Sequence, residues 1–156
     1  MRNHIKLSVA ALLIAGSFAS SANAQEKKIP QSKVPVAVIT AFKTTYPSAK
    51  IKGTNQEVKA GTVYYEIESK DGMVKRDILY AADGGVTEIE EIIPAAQMPS
   101  AVQASVTSGH PNATVKSVEK NTQGPVITYE ILMKEKGKKP FEVIYNPDGT
   151  VVTKTM

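Results

Sequence analysis

Apolar and polar positions alternate in two runs of the chain that lie sixty-four residues apart. Val63, Tyr65 and Ile67 stand out in Val-Tyr-Tyr-Glu-Ile-Glu, and Ile127, Tyr129 and Ile131 in Ile-Thr-Tyr-Glu-Ile-Leu. A period of two predicts a strand with one buried and one wetter face, and it places Tyr64, Glu66 and Glu68, then Thr128, Glu130 and Leu132, on the wetter side. Upstream of the first run, Val38, Ala41 and Phe42 recur at spacings of three and four, the apolar stripe of a helix. Pro35 suits the first turn of that helix, where its missing N–H has no partner to lose. Pro47 ends it, because a proline disfavours helical geometry in the residue before it. Strands are expected over 51–58, 62–69, 74–80 and 86–92, with turns at Lys70-Asp71-Gly72 and Ala82-Asp83-Gly84-Gly85. A helix followed by an antiparallel meander is an α+β pattern.

The same programme restarts at Pro99. Pro99, Val102, Val106, Pro111, Ala113 and Val115 answer Pro35, Val38, Phe42, Pro47, Ala49 and Ile51 at a constant offset. One extra residue in the Lys134 to Lys139 loop then shifts the register. Beyond it Glu142, Val143, Ile144, Tyr145, Asp148, Gly149 and Val151 answer Asp77, Ile78, Leu79, Tyr80, Asp83, Gly84 and Val86. A repeat with one register change in one turn is the strongest fold signal in the chain. Residues 34–93 and 94–156 are therefore expected to be two copies of one helix plus a four-stranded antiparallel meander. Each copy is marginal alone. Together, residues 33–156 are expected to form one compact domain, a tandem repeat with both helices packed on one face of a shared sheet.

The N-terminus changes the picture of charge. Arg2 and Lys6 precede an apolar run from Leu7 to Phe18, followed by small residues ending in Ala22-Asn23-Ala24. This is the pattern of a secretory signal peptide over 1–24, cleaved between Ala24 and Gln25, and the run is shorter than the roughly 20 residues that span a bilayer. Residues 25–33 have little to bury and are expected to be a flexible leader. Without Arg2 and Lys6, 17 basic side chains face 15 acidic ones, a net charge of +2 in place of +4. The basic pI is thus no argument for nucleic acid. The chain has no cysteine, which excludes disulfides, thiol chemistry and thiolate metal sites and leaves burial to hold the fold. A periplasmic or secreted protein is expected, with no membrane insertion after processing.

The Pro-x-x-Val helix start, the aromatic-or-His-Pro-x-Ala step, the Tyr-Glu-Ile strand and Tyr-x-x-Asp-Gly before the last strand together resemble a known group. They are similar to the PepSY-like family of exported bacterial proteins, likened to beta-lactamase inhibitor protein. The resemblance runs from about Val34 to the C-terminus. It implies a helix over a four-stranded antiparallel sheet in each repeat and an open sheet face available to a partner. It also implies kinship with modules that restrain peptidases or sit beside them in the cell envelope. The chain departs from the inhibitor in lacking cysteines and in its shorter linker and loops, so no inhibitory contact residue transfers by motif.

Candidate chemistry is sparse. His110, the one histidine beyond residue 24, occupies the position that Tyr46 holds in the first copy, and a ring packed at a helix terminus accounts for both. Glu66 with Asp77, or Glu130 with Glu142, could meet across a strand pair, the raw material of acid–base or calcium chemistry. A solvated face with lysine or arginine partners is the simpler account. Asp71-Gly72, Asp83-Gly84 and Asp148-Gly149 lack the ligand spacing of a calcium loop and read as turns. Lys134, Lys136, Lys138 and Lys139 carry no interleaved aromatics and read as a solvated hairpin tip. Tyr64, Leu79, Leu132 and Ile144 are apolar or aromatic on the wetter face, and several such residues on one flat sheet make either a recognition patch or a surface that packs on loops or on a second copy of the chain.

These residues point to a non-catalytic exported module that recognises or inhibits another envelope protein, a peptidase or hydrolase, through the open sheet face. The expected contact residues are Tyr64, Glu66, Asp71, Leu79, Thr128, Glu130 and Ile144, with no catalytic residue, metal or cofactor. Asp71, at a hairpin tip, is expected to reach furthest into the partner. The alternative is a periplasmic carrier of a small ligand or cation.

Overall fold

The computed structural model describes residues 25–152. The expected signal peptide and its cleavage site lie outside the described residues, apart from Gln25 itself. One eight-stranded antiparallel sheet runs in strict chain order, β1 to β8. The strands are β1 Gln25–Lys28, β2 Lys50–Lys59, β3 Thr62–Asp71, β4 Val74–Ala81, β5 Val86–Ile93, β6 Ala113–Gln123, β7 Val126–Glu135 and β8 Phe141–Tyr145. Helix α1, Val36–Thr45, lies between β1 and β2, and α2, Ser100–Gly109, between β5 and β6. The class is α+β, and the strand runs and helix ends fall close to where the alternation placed them.

Each helix begins directly after a proline, Pro35 or Pro99, and ends at an aromatic residue before a proline. Tyr46 N–H and His110 N–H donate to the carbonyls of Phe42 and Val106, closing the last turn of each. The His110 ring rests against Phe141, centroids 5.3 Å apart.

Two apolar clusters hold the structure. Val38 and Phe42 of α1 pack with Ile67, Ile78 and Tyr80, joined by Ile29 and Val34. Val102 and Val106 of α2 pack with Met98, Val118, Tyr129, Ile131, Met133 and Tyr145. Phe42 is 1 % exposed, and Ile67, Ile78 and Ile131 are fully enclosed. The Asp-Gly turns press on the helices. A Cβ at Gly84 would lie 2.8 Å from the Ala37 carbonyl oxygen, and one at Gly149 2.6 Å from that of Ala101. Both glycines also have positive φ, so no other residue fits there without strain.

The N-terminal segment differs from the leader expected over 25–33. Gln25–Lys28 pairs with Val58 to Asn55 as an edge strand, and Ile29 is buried beside α1. The reason lies in β2, whose outer edge offers unpaired backbone groups, and in Ile29, one apolar residue where the composition showed almost none. At the other end β8 is short, and the chain beyond it makes a single bridge, Tyr145 to Val151, among the described residues. The remainder of the expected last strand lies outside them. No helix among the described residues is long and apolar enough to cross a membrane.

Candidate functional site

On β3 and β4, strand alternation turns Glu66, Glu68, Leu79 and Asp77 away from the α1 cluster formed by Ile67 and Ile78. The strand register carries this face across the sheet in rows. Asn55, Glu66, Leu79 and Glu88 stand side by side on β2 to β5. The next row is Glu68, Asp77, Glu90, Asn121 and Thr128. A third is Lys70, Lys75, Ile92, Glu119, Glu130 and Ile144.

Of the residues singled out in the sequence, the register joins Glu66 to Leu79 at one end and Glu130 to Ile144 at the other. It does not bring the four together, since β3 and β8 are five strand steps apart, roughly 24 Å. The expected pairs Glu66–Asp77 and Glu130–Glu142 are diagonal neighbours. The direct carboxylate pairs are Glu26–Glu57 at the β1 edge, then Glu68–Asp77, Asp77–Glu90 and Glu119–Glu130. Leu79 is not the exposed centre of a patch. It is 7 % exposed and stands between Glu66 and Glu88 in its row. Tyr64 and Ile144 are half-buried. Asp71 shares the alternation of Ile67 and Ser69, so it belongs to the opposite side from Glu66, and the hairpin tip beyond it is Met73, 90 % exposed.

Carboxylates dominate the middle of the face, and asparagines hold several of them. Asn55 Nδ2 donates to Glu66 at 2.7 Å and to Glu68 at 3.0 Å. Asn121 Nδ2 donates to Glu88 at 2.9 Å and to Glu90 at 3.5 Å. An amide satisfies a carboxylate lone pair but supplies no positive charge. The arginine expected to neutralise this face points to the other one, where Arg76 Nε pairs with Glu91 at 2.7 Å. Lys59 closes two ion pairs here, with Glu57 at 3.1 Å and Glu88 at 3.4 Å. These two partners hold its pKa above the ordinary value, although burial opposes them.

The consequence is a set of carboxyls that hold protons near neutrality. Burial, then the charges of Glu119 and Glu88, push Glu90 up to about 8. Burial, opposed by the Asn55 hydrogen bond and aided by Asp77, puts Glu66 at about 7. Burial with Glu130 and Asp77 puts Glu119 at about 7. Asp77 is raised to about 6 by its recessed position and then by Glu68, with Lys75 opposing. It also opens to solvent, which screens its neighbours, so it matters least of the four. A hollow of about 430 Å³ lies among these groups, with Glu68, Asp77, Glu90 and Glu119 on its walls beside Ile92 and the lysines Lys52, Lys70 and Lys75.

Glu88, Glu90, Glu119, Asn55 and Asn121 were not singled out from the sequence. Their signal is present: Glu88 and Glu90 are two apart in a strand, as are Glu119 and Asn121. What joins them is the β5–β6 pairing, which no local pattern encodes. Among the described residues no group of three or more His, Cys, Asp or Glu side chains is placed to hold a metal ion.

The sequence pattern of one protein family matches the chain twice, over residues 19–88 and 63–153. The chain belongs to the PepSY-like family. Its full description is "Putative beta-lactamase-inhibitor-like, PepSY-like". Among solved structures, a protein of Bacteroides eggerthii described as a putative periplasmic protein superposes with a TM-score of 0.63. It is 16% identical, over 77% of this chain and 86% of its own. A BLIP-like protein of Bacteroides fragilis superposes with a TM-score of 0.58 at 21% identity, over 76% of this chain and 84% of its own. A DUF2874 family protein of Bacteroides ovatus gives 0.60 at 18% identity, over 76% and 84%. At these identities the likeness establishes the fold, a BLIP-like α+β sheet. No curated protein matches the chain.

Proposed function

We propose that this PepSY-like chain is a non-catalytic, exported binding module that recognises another envelope protein, a peptidase or hydrolase, through the sheet face opposite α1 and α2. In this reading the chain is a tandem repeat with both helices on one face. Support comes from β5, where Ile89 packs with the α1 cluster and Ile93, four residues on, with the α2 cluster, because residues four apart in a strand point the same way. Export rests on the signal-peptide pattern and on likeness to a protein described as periplasmic.

One observation carries the binding reading. From β3 to β6 the face holds Glu66, Glu68, Glu90 and Glu119 half-buried with no ion pair among the described residues, an arrangement that costs stability and that no packing need of this small fold explains. A partner that covers the face can supply the missing charge. The width of roughly 24 Å from β3 to β8 is on the scale of an interface burying about 800 Å² per partner. Tyr64, Thr128 and Ile144 line it around the buried Leu79, with Glu66 and Glu130 giving orientation more than affinity. Asp71 lies on the other side of the β3–β4 hairpin and is left out of this interface.

The test is capture of a partner from an envelope extract by the immobilised mature chain, followed by binding of that purified partner to variants. Tyr64→Ala with Ile144→Ala should abolish binding and leave thermal stability nearly unchanged. Undiminished binding by the intact double variant would move the interface to the helices or to the lysine-rich β7–β8 loop.

A further inference from the structure

The hollow on this face holds charges of both signs that do not close on one another. Lys70 and Lys75 stand side by side in one row, and Glu68, Asp77 and Glu90 in the next, two residues along the strands or about 7 Å away. Glu119 completes the wall beyond Ile92. The ion pairs among the described residues are Lys59 with Glu57 and Glu88, Arg76 with Glu91, and Lys138 with Glu135. None joins a lysine of the hollow to one of its carboxylates. The asparagine amides of the face go to Glu66, Glu68, Glu88 and Glu90, which leaves Asp77 and Glu119 with no side-chain donor among the described residues.

A simple cation entering here would meet three lysines, and a simple anion four carboxylates. A molecule with both charges meets each with its opposite, and charge-assisted hydrogen bonds are the strong ones. The volume, about 430 Å³, lies in the range of small-ligand sites, and Ile92 is the one large apolar side chain on its walls, so the occupant is polar.

We propose that the hollow binds a small zwitterion, a short peptide with free termini. Its ammonium lies against Asp77, Glu90 and Glu119, and its carboxylate against Lys70 and Lys75. The ammonium displaces the protons that Glu90 and Glu119 hold near neutrality. This site is independent of a protein partner on the same face, and the two ideas fail separately, since one is read by dipeptide binding and the other by partner capture.

L-alanyl-L-alanine titrated into the mature chain, followed by calorimetry and by backbone amide NMR shifts, is the test. Saturable binding is expected, with shifts centred on residues 75–77, 90–92 and 119. N-acetylation or C-amidation of the dipeptide should each weaken binding at least about tenfold. Asp77→Asn with Glu119→Gln, and separately Lys70→Gln with Lys75→Gln, should do the same at unchanged circular dichroism. The capped dipeptides act on the unaltered chain, so the result stands even where a variant pair folds poorly. No saturable shift up to about 20 mM dipeptide overturns the proposal. So does equal binding of free and acetylated dipeptide, or an amidated dipeptide that binds as tightly as the free one, which would make the hollow a plain cation site.

Discussion

Glu90→Gln tests the physics of the acidic face most directly. Unfolded, this glutamate titrates near 4.5, and folded at about 8. Between those values the native chain holds a proton that the unfolded chain has released. The unfolded state therefore binds fewer protons, and stability falls as pH rises from about 4.5 to about 8, staying low above that. Converted whole, at about 1.4 kcal/mol per pH unit, the shift would put the penalty near 5 kcal/mol, a ceiling. Glu90 is part-exposed and shares its field with Glu119, Glu88 and Asp77, so neutralising it also relieves them while they re-titrate. A net gain of about 1–2 kcal/mol above pH 8 is the reasonable expectation. Glutamine keeps the shape and an oxygen that can accept from Asn121. At pH 8.5 the variant should melt about 3–10 °C above the parent, and at pH 4.5 within about 1 °C of it. Thermal melts by circular dichroism at the two pH values decide the matter. A variant as stable as the parent at pH 8.5, or equally shifted at both, would show that the face is well hydrated and the carboxyls ordinary.

Other consequences are independent of that cluster. Phe42→Ala should cost about 3–5 kcal/mol, because the ring is enclosed between α1 and the sheet, whereas Lys43→Ala on the solvent side should cost under about 0.5; coincident urea midpoints would contradict the placement of α1. Gly149→Ala should destabilise by about 2 kcal/mol or more, since strain at positive φ adds to a close approach to Ala101 and Ser105, and a wild-type midpoint would disprove that contact. Tyr80 buries a hydroxyl with no partner among the described residues, held at a pKa of about 12 by burial and then by Tyr46. Tyr80→Phe should therefore be neutral or stabilising by about 1 kcal/mol, and a loss of that size would reveal a bond to the hydroxyl.

Much of the architecture was legible because it rests on local rules. Alternation in Val63 to Ile67, the stripe of Val38 and Phe42, and prolines at fixed places encode strand, helix and stop within a few residues each. Within β2–β5 and within β6–β8 the antiparallel order follows from short connections between successive strands, which leave little choice of neighbour. Ile29 was harder, since one apolar residue in a polar segment looks negligible until a sheet edge and a helix lie beside it. The acidic face was the least legible. Glu66 and Glu130 were visible as alternating residues, but their environment is set by side chains on neighbouring strands, Asn55 and Asp77 beside Glu66 and Glu119 beside Glu130. The pairing of β5 with β6 puts Glu90 beside Asn121, and Ile92 beside Glu119. It turns apparently solvated glutamates into a half-buried row that holds protons. Desolvation and like-charge repulsion depend on distance in space and on who else is near, and only the tertiary structure decides that.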